Sequence, residues 1–382
     1  MIVYIIMLLL SIAFLYATKK VKKKWIKIVC YIMAAMPFFI VSAFRYDVGT
    51  DYFARYAYDY GRMLEGANIK NLEILFKALM YFCMLFTEKP YMLFFITSAL
   101  IVGLFLGTAF KQSKNAILSV CIFFLAGFFF DSLNIMRQYL AMSIVFAGYP
   151  LLLKNKKWCY AVYAIIVGIA ICIHSSAFIM LALLLLTKKM LVSWKWVIPV
   201  GVVILILNEN LMDWIGILVQ NTRFGVYLTG KFAKGDVSFL FIAENLVIYL
   251  MMYYIYAKNK KIGNVQKADI LFLNVQAIAL LTMILGSCHM LFIRTALYFS
   301  VFQIVSVPYY ISKMPVELIG EDLKKITRNK IKIDKWIPKM QTIMTVIVIL
   351  CFTFAIVRTN VMNNTNEVLP YRTVFNPEIK IN

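Results

Sequence analysis

Three short stretches of a mostly apolar chain hold residue types able to do chemistry. The first, FRYDVGTDYFARY from Phe44 to Tyr56, sets Asp47 and Asp51 four residues apart, with Gly49 permitting a turn between them. Arg45, Arg55 and the aromatic residues Phe44, Tyr46, Tyr52, Phe53 and Tyr56 surround the pair. Carboxylates accept hydrogen bonds from hydroxyls and aromatic faces stack on sugar rings, so the stretch suits a glycan. The plainer reading is an interfacial aromatic belt with solvated ion pairs. The second stretch, FFFDSLNIMRQYLA from Phe128 to Ala141, puts Asn134, Arg137 and Gln138 at i, i+3 and i+4 on one helix face. Amides on a membrane helix bond its neighbours in ordinary packing, but a guanidinium there is costlier and calls for an anionic partner. Third come the two histidines, His174, followed by Ser175 and Ser176, and His289, five residues before Arg294. Either imidazole supplies a base near neutral pH, or serves as a satisfied interfacial side chain. No metal-ligand spacing, phosphate-binding glycine loop or nucleophile elbow is present, so neither a metal nor a cofactor is expected.

The elements that must position these residues are membrane helices. At 63% hydrophobic and 15% charged over 382 residues, the chain has too little polar surface for a soluble body. The expectation is an all-α polytopic integral membrane protein forming a single membrane domain over 1–382. A net charge of +22 raises nucleic acid as a partner, but the basic residues sit in short runs between apolar segments, as membrane topology requires. Nucleic acid is therefore set aside. The seven cysteines stand singly in apolar stretches and read as small core residues. The apolar run Ile2 to Tyr16 precedes Lys19, Lys20, Lys22, Lys23 and Lys24, the reverse of a cleavable signal's order. It reads as an uncleaved first helix with its N-terminus outside.

Twelve spans are expected, at 2–17, 27–44, 91–110, 115–130, 133–153, 157–173, 175–187, 195–207, 238–257, 268–287, 290–311 and 340–357. The stretch 71–86 is apolar but carries Glu73 and Lys77 one turn apart, and counting it as a span would place KNKK (154–157) and the basic segment 312–339 outside. Leaving it as an outer interfacial or re-entrant amphipathic helix puts all six lysine-rich connections in the cytoplasm. Outer segments are then 45–90, 208–237 and the tail 358–382, with 312–339 as a cytoplasmic basic loop suited to anionic membrane lipids. On this topology 25 of the 31 lysines lie inside and 8 of the 9 arginines outside. Topology accounts for the lysines; Arg45, Arg137 and Arg294, at span ends, need another reason.

Taken in order, R-Y-x-V-G-T-D-Y from Arg45, N-x-x-R-Q-x-x-A from Asn134, H-S-S-A from His174 and H-x-x-x-x-R-x-x-x-Y-F from His289 resemble the EpsG-type branch of the Wzy polysaccharide polymerases, over about residues 40–310. The resemblance implies a GT-C-like or O-antigen-ligase-like helical bundle in a bacterial cell membrane, with its active site on the outer face. The implied enzyme is a glycosyltransferase that polymerises undecaprenyl-pyrophosphate-linked oligosaccharide repeat units into capsular or exopolysaccharide, alongside a flippase and a chain-length regulator. Arg45, Arg137 and Arg294 would meet the pyrophosphate leaving group, His174 or Asp51 would take the acceptor hydroxyl's proton, and His289 is a further candidate base or substrate contact. Asp47, Tyr52, Asn134 and Gln138 would position sugar or phosphate. Rival readings are an O-antigen-ligase-type transferase, a glycosyltransferase using a polyprenyl-phosphate sugar, and a transporter of lipid-linked glycan.

Overall fold

In lipid every backbone polar group must be satisfied within its own segment, so apolar runs of this length fold as helices. The computed structural model describes residues 1–70, 72–154, 156–191, 193–207, 214, 217, 239–326 and 335–381. The expected outer loop 208–237, apart from Trp214 and Ile217, and the stretch 327–334 of the basic loop lie outside the described residues. Among the described residues, six helical segments are long and apolar enough to cross a membrane: α1 (Ile2–Lys20), α2 (Lys24–Ala43), α5 (Tyr91–Gln112), α12 (Phe239–Lys261), α13 (Lys267–Leu285) and Ile337–Met362, which contains α17 (Met340–Ile356). Two bent pairs raise the number to eight: α6 (Ala116–Leu125) with α7 (Phe128–Asn134), bent by 50°, and α14 (Met290–Ser300) with α15 (Gln303–Ser312), bent by 47°. Shorter apolar helices are α4 (Ile74–Met84), α9 (Lys157–Ile171), Ser175–Leu186, which ends in α10 (Leu183–Leu186), and α11 (Trp194–Ile206). The chain is thus an all-α polytopic membrane protein with six to eight candidate spans among the described residues, and the count of twelve is not established.

The chain divides into two compact units, residues 1–180 with 349–382, and residues 181–348. In the first, α1 and α2 lie against each other, α5 packs on α2, α8 (Met136–Gly148) on α5, and α9 on α8. Lipid tails are as apolar as the side chains, so packing fit holds such helices together. Here the fit is aromatic. Phe38 meets Phe129 edge-on at 5.1 Å, and Phe105 meets Phe146 at 5.2 Å and Phe123 at 5.7 Å, all of them buried. Each such pair contributes about 0.5–1.5 kcal/mol beyond the area it covers. In the second unit, Asn245 of α12, Gln276 of α13 and Gln303 of α15 bond one another at 3.0–3.2 Å, an amide cluster that joins three apolar helices.

The first unit departs from the expected spans at one place. The stretches 115–130 and 133–153 read as two separate helices, but the chain turns at Gly127, whose φ of +83° only glycine adopts without strain, and breaks again at Ile135. Two helix ends therefore meet inside the protein and expose backbone groups. Loop 45–50 covers them. Arg45 donates from Nη2 to the Leu133 carbonyl at 3.3 Å, and Thr50 N–H donates to Asn134 Oδ1 at 2.7 Å.

The tail folds back on the first unit. There β1 (Tyr371–Thr373) pairs antiparallel with β2 (Asn376–Ile381), and Thr373 forms an isolated bridge with Arg45. Tyr371 donates from its hydroxyl to the Val41 carbonyl at 3.0 Å, Tyr4 to that of Val368 at 3.0 Å, and Arg372 pairs with Asp47 at 2.9 Å. A polar C-terminal segment is thereby fixed onto the end of α2.

Gly49 shows how close the loop lies to the break. At φ +100°, a Cβ on Gly49 would sit 2.6 Å from Asn134 Oδ1 and 3.1 Å from the Leu133 carbonyl oxygen. Gly49→Ala should destabilise the protein by about 2 kcal/mol or more. Thermal unfolding in detergent measures this, and a melting temperature equal to that of the unsubstituted protein would remove the close approach.

Candidate functional site

Glu73 begins α4, and its carboxylate draws three separate segments together. Arg137, in the first turn of α8, donates from Nη1 to Glu73 Oε2 at 2.9 Å. Ser175 N–H donates to Glu73 Oε1 at 3.0 Å, and His174 Nδ1 lies 3.4 Å from the same oxygen. The backbone completes the tie, because Leu75 N–H in the first turn of α4 donates to the Cys172 carbonyl at 2.9 Å. Each helix start brings N–H groups with no partner in its own helix, and here a carboxylate and a carbonyl from other segments meet them. The three side chains are mostly covered, with 18% of Glu73, 13% of Arg137 and 22% of His174 accessible.

This environment sets the charge on Glu73. Burial pushes its carboxyl up, but the hydrogen bonds from the His174 side chain and Ser175 N–H, with the Arg137 charge, outweigh it and pull the pKa down to about 2. Glu73 is a carboxylate at any physiological pH. A base that weak suits orientation of a neighbour better than proton abstraction.

A ladder of rings separates this bridge from Arg45. The Arg137 guanidinium lies over Phe76 at 5.7 Å, and its backbone N–H donates to the Tyr56 hydroxyl at 3.2 Å. Tyr56 meets Phe76 at 6.2 Å and Phe94 edge-on at 6.4 Å, and Phe94 stacks on Tyr52 at 4.3 Å. Arg45, 1% exposed, lies over the other side of this group, 4.7 Å from the Phe94 ring. Its Nη1 donates to the Ser42 carbonyl, while Nη2 takes Leu133.

The remaining residues singled out from sequence are placed as follows. Asn134 bonds Thr50 through Oδ1 and donates from Nδ2 to Asn366 Oδ1 at 2.7 Å. Asp47 carries its partner Arg372, and Asp51 leads into the π-helical turn Tyr52–Ala57. Gln138 is buried, its Nε2 3.7 Å from the Met142 sulfur. His289 and Arg294 belong to the second unit. There His289 caps α14, accepting the Leu291 N–H at Nδ1 over 3.0 Å, and Arg294 lies within that helix. Sequence reasoning brought Arg137 and His174 forward but missed Glu73, which it weighed only for topology, and Asn366. An acid beside a lysine in an otherwise apolar helix was the available signal for Glu73. Asn366 offered none.

A family model described as the EpsG family matches residues 28–318, more than half of the chain. No curated protein and no solved structure matches it.

The lowered Glu73 pKa has a pH signature. A carboxyl more acidic when folded than when unfolded stabilises the fold above its unfolded pKa near 4.5, and loses that contribution as pH falls toward 2. Allowing for partial solvent screening, it amounts to about 2 kcal/mol. Glu73→Gln should melt below the unsubstituted protein at neutral pH, and acidification should close the gap. A gap of constant size down to about pH 3 would refute the charge bridge.

Proposed function

The chain belongs to the EpsG family, which is of the membrane polysaccharide-polymerase type, and on that footing we propose that it joins undecaprenyl-pyrophosphate-linked oligosaccharide repeat units into capsular or exopolysaccharide at the outer face of the cytoplasmic membrane. The observation that carries the reading is the Arg137–Glu73–His174 bridge, which puts a base and a fixed cation on one carboxylate. In the reaction, an acceptor hydroxyl oxygen attacks the anomeric carbon of the lipid-linked glycan. The bond from that carbon to the pyrophosphate oxygen breaks, and its electron pair leaves with undecaprenyl pyrophosphate.

His174 takes the hydroxyl proton. The Glu73 carboxylate, 3.4 Å from Nδ1 of the imidazole, favours the proton on that nitrogen and leaves Nε2 as the basic one, the arrangement of a base oriented by a third group. Arg137 meets the charge that develops on the leaving pyrophosphate, where a planar fork suits phosphate oxygens better than an ammonium. Asn134 and Arg45 hold the helix break from which Arg137 projects, and Asp47 and Asp51 of the first loop offer carboxylates to sugar hydroxyls. Every residue given a role lies in the first unit.

Purified protein in bilayers, supplied with a lipid-linked repeat unit alone, should yield a ladder of repeat lengths. One transfer to a different acceptor lipid would instead indicate a ligase, and transit without change of chain length a transporter. Arg137→Lys should slow polymerisation roughly 100-fold, the usual loss for one donor to a developing oxyanion. Polymer of normal length from Arg137→Lys would take Arg137 out of the leaving-group role.

A further inference from the structure

The tail lies beyond the residues matched by the family, yet one of its side chains is built into the helix break beside Arg137. Asn366 uses its whole carboxamide there. Its Nδ2 donates to Asp131 Oδ1 at 3.0 Å and to Asn360 Oδ1 at 3.1 Å, while its Oδ1 accepts from Asn134 Nδ2 at 2.7 Å. Its backbone carbonyl also faces Asn134 Nδ2, at 3.2 Å. Asp131 accepts on its other oxygen from the Tyr139 hydroxyl at 3.3 Å, so the network spans the break from α7 to α8. Asn134 carries it on to Thr50 of the first loop.

The segment around Asn366 is held to one shape. Asn364, at φ +45°, accepts at Oδ1 from the N–H groups of Val368 and Leu369, each at 3.1 Å, and donates from Nδ2 to the Leu369 carbonyl at 2.8 Å. The Glu367 carbonyl accepts from Gly49 N–H at 3.1 Å. Asn366 is half-buried and bonds the α7 side of the break directly, and through Asp131 and the Tyr139 hydroxyl the same network reaches α8, so it constrains the angle at which the second helix leaves the first. Arg137 stands three residues past Asn134, in the first turn of that helix.

We propose that Asn366 is a positioning residue: with Asp131 it sets the start of α8, and so the register of Arg137 on Glu73 and His174. The tail is then part of the site rather than an appendage. The assignment of a rate effect rests on the polymerase reading, whereas the geometric effect does not.

The design uses the polarity of the Asn366–Asp131 bond. N366D removes the donor and sets two carboxylates against each other; D131N/N366D restores one donor and one acceptor with the roles exchanged. The full-length protein in bilayers is assayed with lipid-linked repeat units, and His174 is followed by its rate of modification with diethyl pyrocarbonate, resolved from His289 by peptide mass. N366D should lower kcat roughly 10- to 100-fold with KM held within about twofold, as misplacement of a catalytic group does. It should also change His174 reactivity severalfold, and D131N/N366D should return both toward the unsubstituted values. If N366D leaves kcat and His174 reactivity unchanged, or if D131N/N366D is as impaired as N366D, the positioning role is overturned. Absence of any polymer from the unsubstituted protein overturns the polymerase reading instead, and the His174 rates then decide the positioning role alone.

Discussion

A helix that breaks inside an apolar body leaves carbonyls and amides with no water to turn to, and each one left unmet costs several kcal/mol. The break between α7 and α8 imposes that requirement on the first unit. The Leu133 carbonyl is answered by the Arg45 guanidinium and the Arg137 N–H by the Tyr56 hydroxyl, while the Asn134 side chain ties the broken end to Thr50 and Asn366, so residues far apart in sequence must converge on one point. Gly49 is a glycine because the loop that brings Arg45 and Thr50 passes within bonding distance of the broken end. The first loop, the tail hairpin and the aromatic ladder follow from this convergence. A buried guanidinium met by neutral groups, two carbonyls, the Ser42 hydroxyl, the Met136 sulfur and a ring, is expensive to hold, and no carboxylate joins Arg45 among the described residues. The closed break is what offsets that cost.

The Arg137–Glu73–His174 bridge solves a different problem, that of keeping a cation where the dielectric is low. Paired with Glu73, Arg137 forms a neutral unit with little penalty at rest. Under the proposed reaction the leaving pyrophosphate competes with Glu73 for the same guanidinium. The interaction is then strongest when charge has developed on the leaving group, which is the differential binding that speeds a chemical step. In that reaction Glu73 would also keep a bare Arg137 from retaining product, so that one carboxylate, kept ionised by its low pKa, would both orient the base and moderate the cation.

Much of the scaffold is legible in the sequence because apolar length is a local property. The expected spans at 2–17, 27–44, 91–110, 238–257, 268–287 and 340–357 each fall on a helix long enough to cross. The break is not legible. FLAGFFF is apolar on both sides of the turn at Gly127, DSLNIMRQ carries polar residues that fit a continuous helix as well as a broken one, and what stabilises the interruption comes from Arg45, Thr50 and Asn366, far along the chain. The site divides the same way. Arg137 and His174 stand out because their types are costly in a membrane, whereas Glu73 reads as a nuisance for topology until the fold sets it beside both. Arg372 and Asn366 sit in a polar stretch that looks solvated, and nothing local distinguishes a tail that folds back from one that does not.

The division between lysine and arginine acquires a second meaning in this light. In the second unit lysines near helix ends pair with one carboxylate each, Lys313 with Asp269 and Lys258 with Asp322, as a point charge at the end of a flexible stem does. In the first unit, arginines are used where geometry must be fixed. Arg45 spans two carbonyls from different helices, and Arg372 ties the tail to Asp47 at the start of the loop. An excess of arginine at span ends is therefore not in itself a count of phosphate ligands, since a planar fork is as useful for joining backbone segments as for binding an anion. What separates Arg137 from Arg45 is its company. It shares a carboxylate with an imidazole at a partly accessible position, whereas Arg45 is sealed within the helix break, and the proposed reaction therefore gives the chemistry to Arg137 and the frame that carries it to Arg45.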